Sequence, residues 1–185
     1  EFVSIMGQSG SGKSTLLSIM GGLNHPTRGR MVLDSLDIYE LSSEQRADLR
    51  SEYIGIIFQS FQLITYLTVL ENIKMPMAIT GIKPKKQDEM ARAVLARVGL
   101  GDKGDRLPDQ LSGGEQERVA IARAIVNNPP ILLADEPTGN LDSATSEEIM
   151  KLLQQLNEEG QTIVMVTHSH DSGKYSGRTI EVKDG

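Results

Sequence analysis

Residues 2–15 read Phe2-Val3-Ser4-Ile5-Met6-Gly7-Gln8-Ser9-Gly10-Ser11-Gly12-Lys13-Ser14-Thr15, and this stretch decides the fold. Phe2–Met6 has the pattern of a strand, and Ser14–Met20 that of a helix. Between them Gly7–Thr15 fits G-x-x-x-x-G-K-[ST], in the strand–loop–helix context the motif requires. Glycines let the backbone curl so that successive N–H groups converge on one phosphate, and the helix adds its N-terminal partial positive charge. Lys13 is expected to reach the β- and γ-phosphates, and Ser14 to offer its hydroxyl to Mg²⁺. A mere flexible Gly/Ser turn would need neither flank. The nine residues from Gly7 to Thr15 are therefore read as a nucleoside triphosphate site.

Outward from this loop, strand-like and helix-like runs alternate, the habit of a parallel sheet covered by helices. Further strands are expected at Tyr53–Phe58, Ile131–Ala134, Ile163–Val166 and Thr179–Val182, and helices at Gln87–Val98, Gly114–Asn127 and Ala144–Glu158. Ile131–Ala134 and Ile163–Val166 are apolar throughout, as strands buried on both faces are. Residues 61–106 break the alternation and look mostly helical. The expected fold is thus α/β: a P-loop NTPase core of residues 1–60 and 107–185 with a helical subdomain, 61–106, inserted. The chain starts inside a strand and stops at the turn signal Lys183-Asp184-Gly185, so it looks cut at both ends.

Composition narrows the class. The chain has 185 residues, enough for one domain, with 25 acidic against 19 basic residues and a formal net charge of −6. That balance disfavours a general nucleic-acid binder, which needs a basic face. No uninterrupted apolar run exceeds four residues, so nothing reads as a membrane span. Zero cysteines exclude disulfides and thiolate chemistry.

Two further motifs carry chemistry. Ile131–Ala134 leads into Asp135-Glu136, and a carboxylate at the carboxyl end of a parallel strand faces the ligand crevice. Asp135 is the candidate magnesium ligand, and Glu136 the group that polarises an attacking water. Leu111-Ser112-Gly113-Gly114-Glu115 opens an amphipathic helix. Ser112 with Glu115 is a capping box, while Ser112 and the bare glycine amides would also suit an anion. Both can hold at once. His168 ends an apolar run, where a buried, satisfied histidine is common, but the strand end favours a phosphate contact. His170 with Asp171 lacks the further ligands a metal pair would need.

The order of these motifs—phosphate loop, Phe58-Gln59, LSGGE, LLADE, Asn140-Leu141-Asp142, Thr167-His168—resembles the nucleotide-binding domain of ATP-binding-cassette (ABC) proteins along essentially the whole chain. The resemblance implies a head-to-tail dimer in which each Mg-ATP lies between the phosphate loop of one copy and the LSGGE helix of the other. It implies that Ser112, Gly113 and Gly114 contact the γ-phosphate bound at the partner's Lys13, and that Gln59 touches magnesium and the attacking water. Asp142 would bridge the two sites, and His168 would hold the γ-phosphate and orient Glu136. Met20-Gly21-Gly22-Leu23, Leu67–Ile73 and Asp135–Ser143 look like the lipoprotein-release, macrolide-export and FtsE branch. That branch pairs with an FtsX-like integral-membrane permease, at the cytoplasmic face of the inner membrane. Glu115 and Glu117 make the signature helix more acidic than the Gln-rich version usual in the family. The family's adenine-stacking aromatic would lie upstream of the phosphate loop, and Ser169–Ser176 departs from the family pattern. DNA-repair and chromosome ATPases share the signature but insert a long coiled coil, and translation ATPases carry two cassettes. A P-loop kinase would not need LSGGE, and a non-enzymatic module would not fill every catalytic position.

Overall fold

The computed structural model describes residues 1–183; the last two positions of the expected Lys183-Asp184-Gly185 turn lie outside them. Five strands form one parallel sheet: β1 (Phe2–Met6), β4 (Ile54–Ile57), β5 (Ile131–Asp135), β6 (Thr162–Thr167) and β7 (Arg178–Glu181), in the order β4-β5-β6-β1-β7. β6 therefore lies between the strand that delivers the phosphate loop and the strand that ends in Asp135. Side chains alternate between the faces as strand geometry requires. On β5 and β6, Leu132, Ala134, Ile163 and Met165 enter one apolar cluster, and Leu133, Val164 and Val166 enter the other. Burial on both faces explains why these two runs carry no polar residue.

Helix α1 (Lys13–Met20) covers one face through Leu17, with Leu49 of α2 (Ser43–Tyr53) packed beside it. The other face carries α5 (Gly113–Ile125) and α6 (Ser143–Glu158). α5 approaches the sheet closely at Gly55 of β4, where a Cβ would stand 2.4 Å from the Ala124 carbonyl oxygen. Only glycine allows that strand and helix to meet there.

Within 61–106, α3 (Val69–Lys74), a 3₁₀ turn (Met75–Met77) and α4 (Pro84–Arg97) pack on α5. Val69, Leu70, Ile73, Ala91 and Leu95 share one apolar cluster with Val119, Ile121 and the inner face of the sheet. Backbone bonds from Val69 to Arg106 and from Leu70 to Gly104 close the segment on itself. Fully buried Asn72 pins its entry loop, accepting from the Ile64 N–H and donating to the carbonyls of Ile64, Leu67 and Thr68.

Several boundaries differ from the sequence-based expectation. Tyr53 closes α2 rather than opening a strand. That helix starts at a Ser42/Gln45 capping box, a signal present in Ser42-Ser43-Glu44-Gln45 but masked by the lack of an apolar stripe, since none of its residues is buried. A small hairpin, β2 (Val32–Leu33) with β3 (Leu36–Asp37), turns at Asp34-Ser35, both with positive φ. Asp-Ser is a weaker signal for that turn than Asn-Gly or Asp-Gly. α4 begins three residues early because Pro84 suits the first helical position. In Ser169–Ser176, Ser169 caps the short α7 (His170–Gly173), whose Ser172 bonds Thr138.

Candidate nucleotide-binding and catalytic site

The loop after β1 curls through Gly10 (φ 81°) and Gly12 (φ 87°), the latter capping α1 in a left-handed conformation that a side chain would oppose. Lys13, only 5% exposed, turns its ammonium group back into the loop and donates to the carbonyls of Gly7 (2.9 Å) and Gln8 (2.8 Å). The cation is thus fixed at the centre of the curl. Ser14 at the start of α1 donates to Asp135 Oδ1 at 2.9 Å, joining the loop to the end of β5. Burial pushes the Asp135 carboxyl above its ordinary range, opposed by the Ser14 hydroxyl and reinforced by the neighbouring Glu136 charge.

Glu136 has a positive φ of 46°, unusual for a residue with a side chain, and its N–H donates to the Val166 carbonyl of β6. The turn brings its carboxylate between two partners. His168 Nδ1 donates to Oε1 at 2.9 Å, and Gln59 Nε2 donates to Oε2 at 3.2 Å. His168 is 62% exposed by side chain and Glu136 17%, so the histidine is not the buried, satisfied residue its strand end allowed. Asn140 donates to the Gln59 carbonyl at 2.8 Å and fixes the backbone of that segment. Asn140 stood in the sequence as part of a motif with no role of its own; only the fold brings it to Gln59.

Ser9, Gly10, Gly12, Lys13, Ser14, Thr15, Gln59, Glu136 and His168 line one open cleft of about 610 Å³. The Ser14 hydroxyl and the Asp135 carboxylate, bonded to each other, and the Gln59 amide in the cleft lining supply oxygen donors, the hard set that suits magnesium. Among the described residues no group of three or more His, Asp or Glu is placed to hold a metal ion.

Ser112, Gly113, Gly114 and Asp142 are not among the residues lining this cleft. Ser112 caps α5 in a reciprocal box with Glu115: Glu115 N–H reaches Ser112 Oγ at 3.3 Å, and Ser112 N–H reaches Glu115 Oε2 at 2.8 Å. The bond from the Ser112 backbone holds the Glu115 carboxyl below its ordinary range. A Cβ on Gly114 would stand 2.4 Å from Thr145 Cγ2 of α6, so the signature glycines sit tightly on the next helix. Asp142 caps α6, accepting from Ala144 N–H, Thr145 N–H and Thr145 Oγ1, and the Thr145 bonds hold its carboxyl low.

Glu117, the acidic residue singled out in this helix, is fully buried with neither carboxyl oxygen hydrogen-bonded. Burial raises its pKa from 4.5 to about 8, against the pull of Arg123. The protonated form is favoured in the folded state, so its stabilising share is complete below pH 4.5 and is lost as pH rises toward 8. Glu117→Gln keeps the shape and removes the titration. At pH 8 it should exceed the wild type in stability by a few kcal/mol, at about 1.4 kcal/mol per pKa unit, with the gap closing toward pH 5. Calorimetric melting at both pH values checks this; parallel melting of the two proteins would contradict it.

Phosphate loop, acidic strand end and oriented carboxylate together define the class: an α/β nucleoside-triphosphate-binding protein of the P-loop type. A profile of the ABC transporter family matches residues 1–139. The chain is 48% identical over 185 residues to the ABC transporter ATP-binding protein YvrO of Bacillus subtilis, covering all of this chain and 81% of that protein. It is 49% identical over 188 residues to the macrolide export ATP-binding/permease protein MacB of Syntrophobacter fumaroxidans, of which it spans only 26%. Its backbone matches the solved dimer of the ATP-binding cassette MJ0796 in a post-hydrolysis state bound to ADP and Pi, with TM-score 0.91 and 46% identity. That match covers all of this chain and 82% of the other. The chain belongs to the ABC transporter family and is one of its ATPase cassettes.

Proposed function

We propose that two copies of this cassette close head to tail on two Mg-ATP and hydrolyse them to drive a membrane permease. The observation that carries this reading is the division of the site: one chain gathers Lys13, Ser14, Gln59, Glu136 and His168 in one cleft and leaves Ser112, Gly113 and Gly114 outside it. A second copy supplies the missing wall. The MJ0796 structure supports it, being described as a dimer with ADP and Pi.

In this reading the loop amides, Lys13 and the N-terminus of α1 bind the phosphates. Ser14, Asp135 and the Oε1 of Gln59, whose amide nitrogen is engaged by Glu136, would hold magnesium. When bound, that ion neutralises charge on the β- and γ-phosphates. Glu136 takes a proton from the attacking water. His168 holds one carboxylate oxygen through Nδ1, and it is an Nε2–H that would donate to the γ-phosphate. Asp142 stays at its α6 cap and bridges to the opposite site. The segment 61–106 acts as a helical subdomain hinged on the core of residues 1–60 and 107–185.

MacB carries ATP-binding and permease functions in one chain by its name, which supports an integral-membrane permease as partner, FtsX-like in type. The cassette would then sit peripherally at the cytoplasmic face of the cell membrane. Among the described residues no helix is long and apolar enough to cross a membrane. A groove of about 340 Å³ beside Phe58, lined by Ala47, Ile56, Pro76 and the exposed Met75 and Ile79, offers the permease an apolar seat next to Gln59. The transport class is macrolide export or lipoprotein release. Ser112→Arg tests the shared site in the full-length protein. ATP affinity of the monomer should stay within about threefold while ATP-driven dimerisation is lost in sedimentation runs, since the long arginine side chain fills the space in which the small Ser112 hydroxyl would meet the opposite site's γ-phosphate. Unchanged dimerisation would contradict it.

A further inference from the structure

Between Gln59 and α3 the chain passes through two consecutive residues, Phe61 (φ 58°) and Gln62 (φ 52°), in the left-handed region. Neither is glycine, so each opposes the conformation it adopts. Arg123, near the end of the signature helix α5, spans this turn. Its Nη2 donates to the Phe61 carbonyl at 2.6 Å and its Nη1 to the Gln62 carbonyl at 2.5 Å. One rigid, planar fork thus grips two successive carbonyls, a geometry a point charge cannot copy.

The turn stands between two parts of the site. On its N-terminal side, Gln59 bonds Glu136 and its carbonyl is held by Asn140. The Phe61 ring itself reaches the signature: Phe61 Cζ lies 3.9 Å, and Leu141 Cδ2 3.4 Å, from where a Cβ on Gly113 would stand. We propose that Arg123 is a positioning residue, which by clamping the Phe61–Gln62 turn keeps Gln59 on Glu136 and the Phe61 ring on Gly113 in one fixed register. Arg123 touches no nucleotide in this arrangement. It ties the segment that senses the reacting phosphate to the helix that completes the partner copy's site, and so rests on the roles proposed above for Gln59 and Ser112–Gly114.

Arg123→Gln in the full-length protein should lower kcat by roughly 10- to 100-fold, the scale of a misplaced catalytic group, while KM for ATP stays within about threefold because the phosphate loop is untouched. Adding Gln62→Gly, which accepts the left-handed conformation unaided, should restore kcat at least fivefold over Arg123→Gln alone. A residue that only supported the fold would not be rescued in this way. Arg123→Lys, if the glutamine variant does not fold, should lose kcat by a smaller factor, again with KM unchanged. A kcat within twofold of wild type in a folded Arg123 variant, a KM that rises in step with the loss, or no rescue by Gln62→Gly overturns the proposal. Gln59→Ala, run in parallel, separates the two layers: if it leaves kcat unchanged, the role of Gln59 is wrong, and if only the Arg123 variants are silent, the clamp is wrong.

Discussion

Glu136→Gln is expected to keep ATP binding and dimer closure and to slow hydrolysis by roughly 10²–10⁴, the contribution of a general base. The geometry explains why those effects should separate. Gln59 and His168 approach the two carboxylate oxygens from different sides, so an amide of the same shape can keep the His168 bond through its carbonyl oxygen. The Ser14–Asp135 bond and the Lys13 cradle do not involve Glu136 at all. What glutamine lacks is the basic oxygen that accepts a proton. The dimer should then be trapped, because closure is stabilised by contacts to the γ-phosphate and is released when that group leaves. Single-turnover hydrolysis with sedimentation in ATP measures both halves. Turnover within tenfold of wild type would remove Glu136 from the role of base.

Lys13→Ala is expected to abolish nucleotide binding, with affinity falling by about 100-fold or more through loss of the charge-assisted bonds to phosphate. Two effects act together. The ammonium group is the cation of the loop, and it also ties the Gly7 and Gln8 carbonyls, so its removal loosens the curl that aims the backbone amides. Titration with a fluorescent ATP analogue reads the affinity, and circular dichroism confirms that the sheet remains. Affinity within a few-fold of wild type would contradict the placement of the phosphates.

Elements with a strong local code were legible from residues alone. The phosphate loop is specified by glycines that must adopt positive φ and by a lysine and serine at fixed offsets, and β5 and β6 by apolar runs that only a doubly covered strand tolerates. The capping box at Ser112 and Glu115 was readable in the same way, and it is present. Weakly coded pieces were not. Helix α2 buries none of its residues, so no periodic stripe announced it, and the Asp34-Ser35 hairpin lacks the usual glycine.

The burial of Glu117 shows where sequence reading stops. Its neighbours Glu115 and Gln116 look equally polar in the sequence, but helix rotation sends Glu117 inward without a hydrogen-bond partner, and that alone moves its pKa to about 8. A linear pattern records that a carboxylate is present and not what surrounds it.

By itself the sequence determined the class of fold, the ligand chemistry of the loop and the family, because those rest on local backbone preference and on residues in fixed succession. The tertiary structure alone decided that Gln59, Glu136 and His168, 109 residues apart at their widest, share one carboxylate, that Asn140 and Arg123 hold the Gln59 segment, and that Ser112–Gly114 stand outside the cleft of their own chain. The physical reason is the sheet order: β6 sits between β1 and β5, and only that pairing brings three distant loops to one edge.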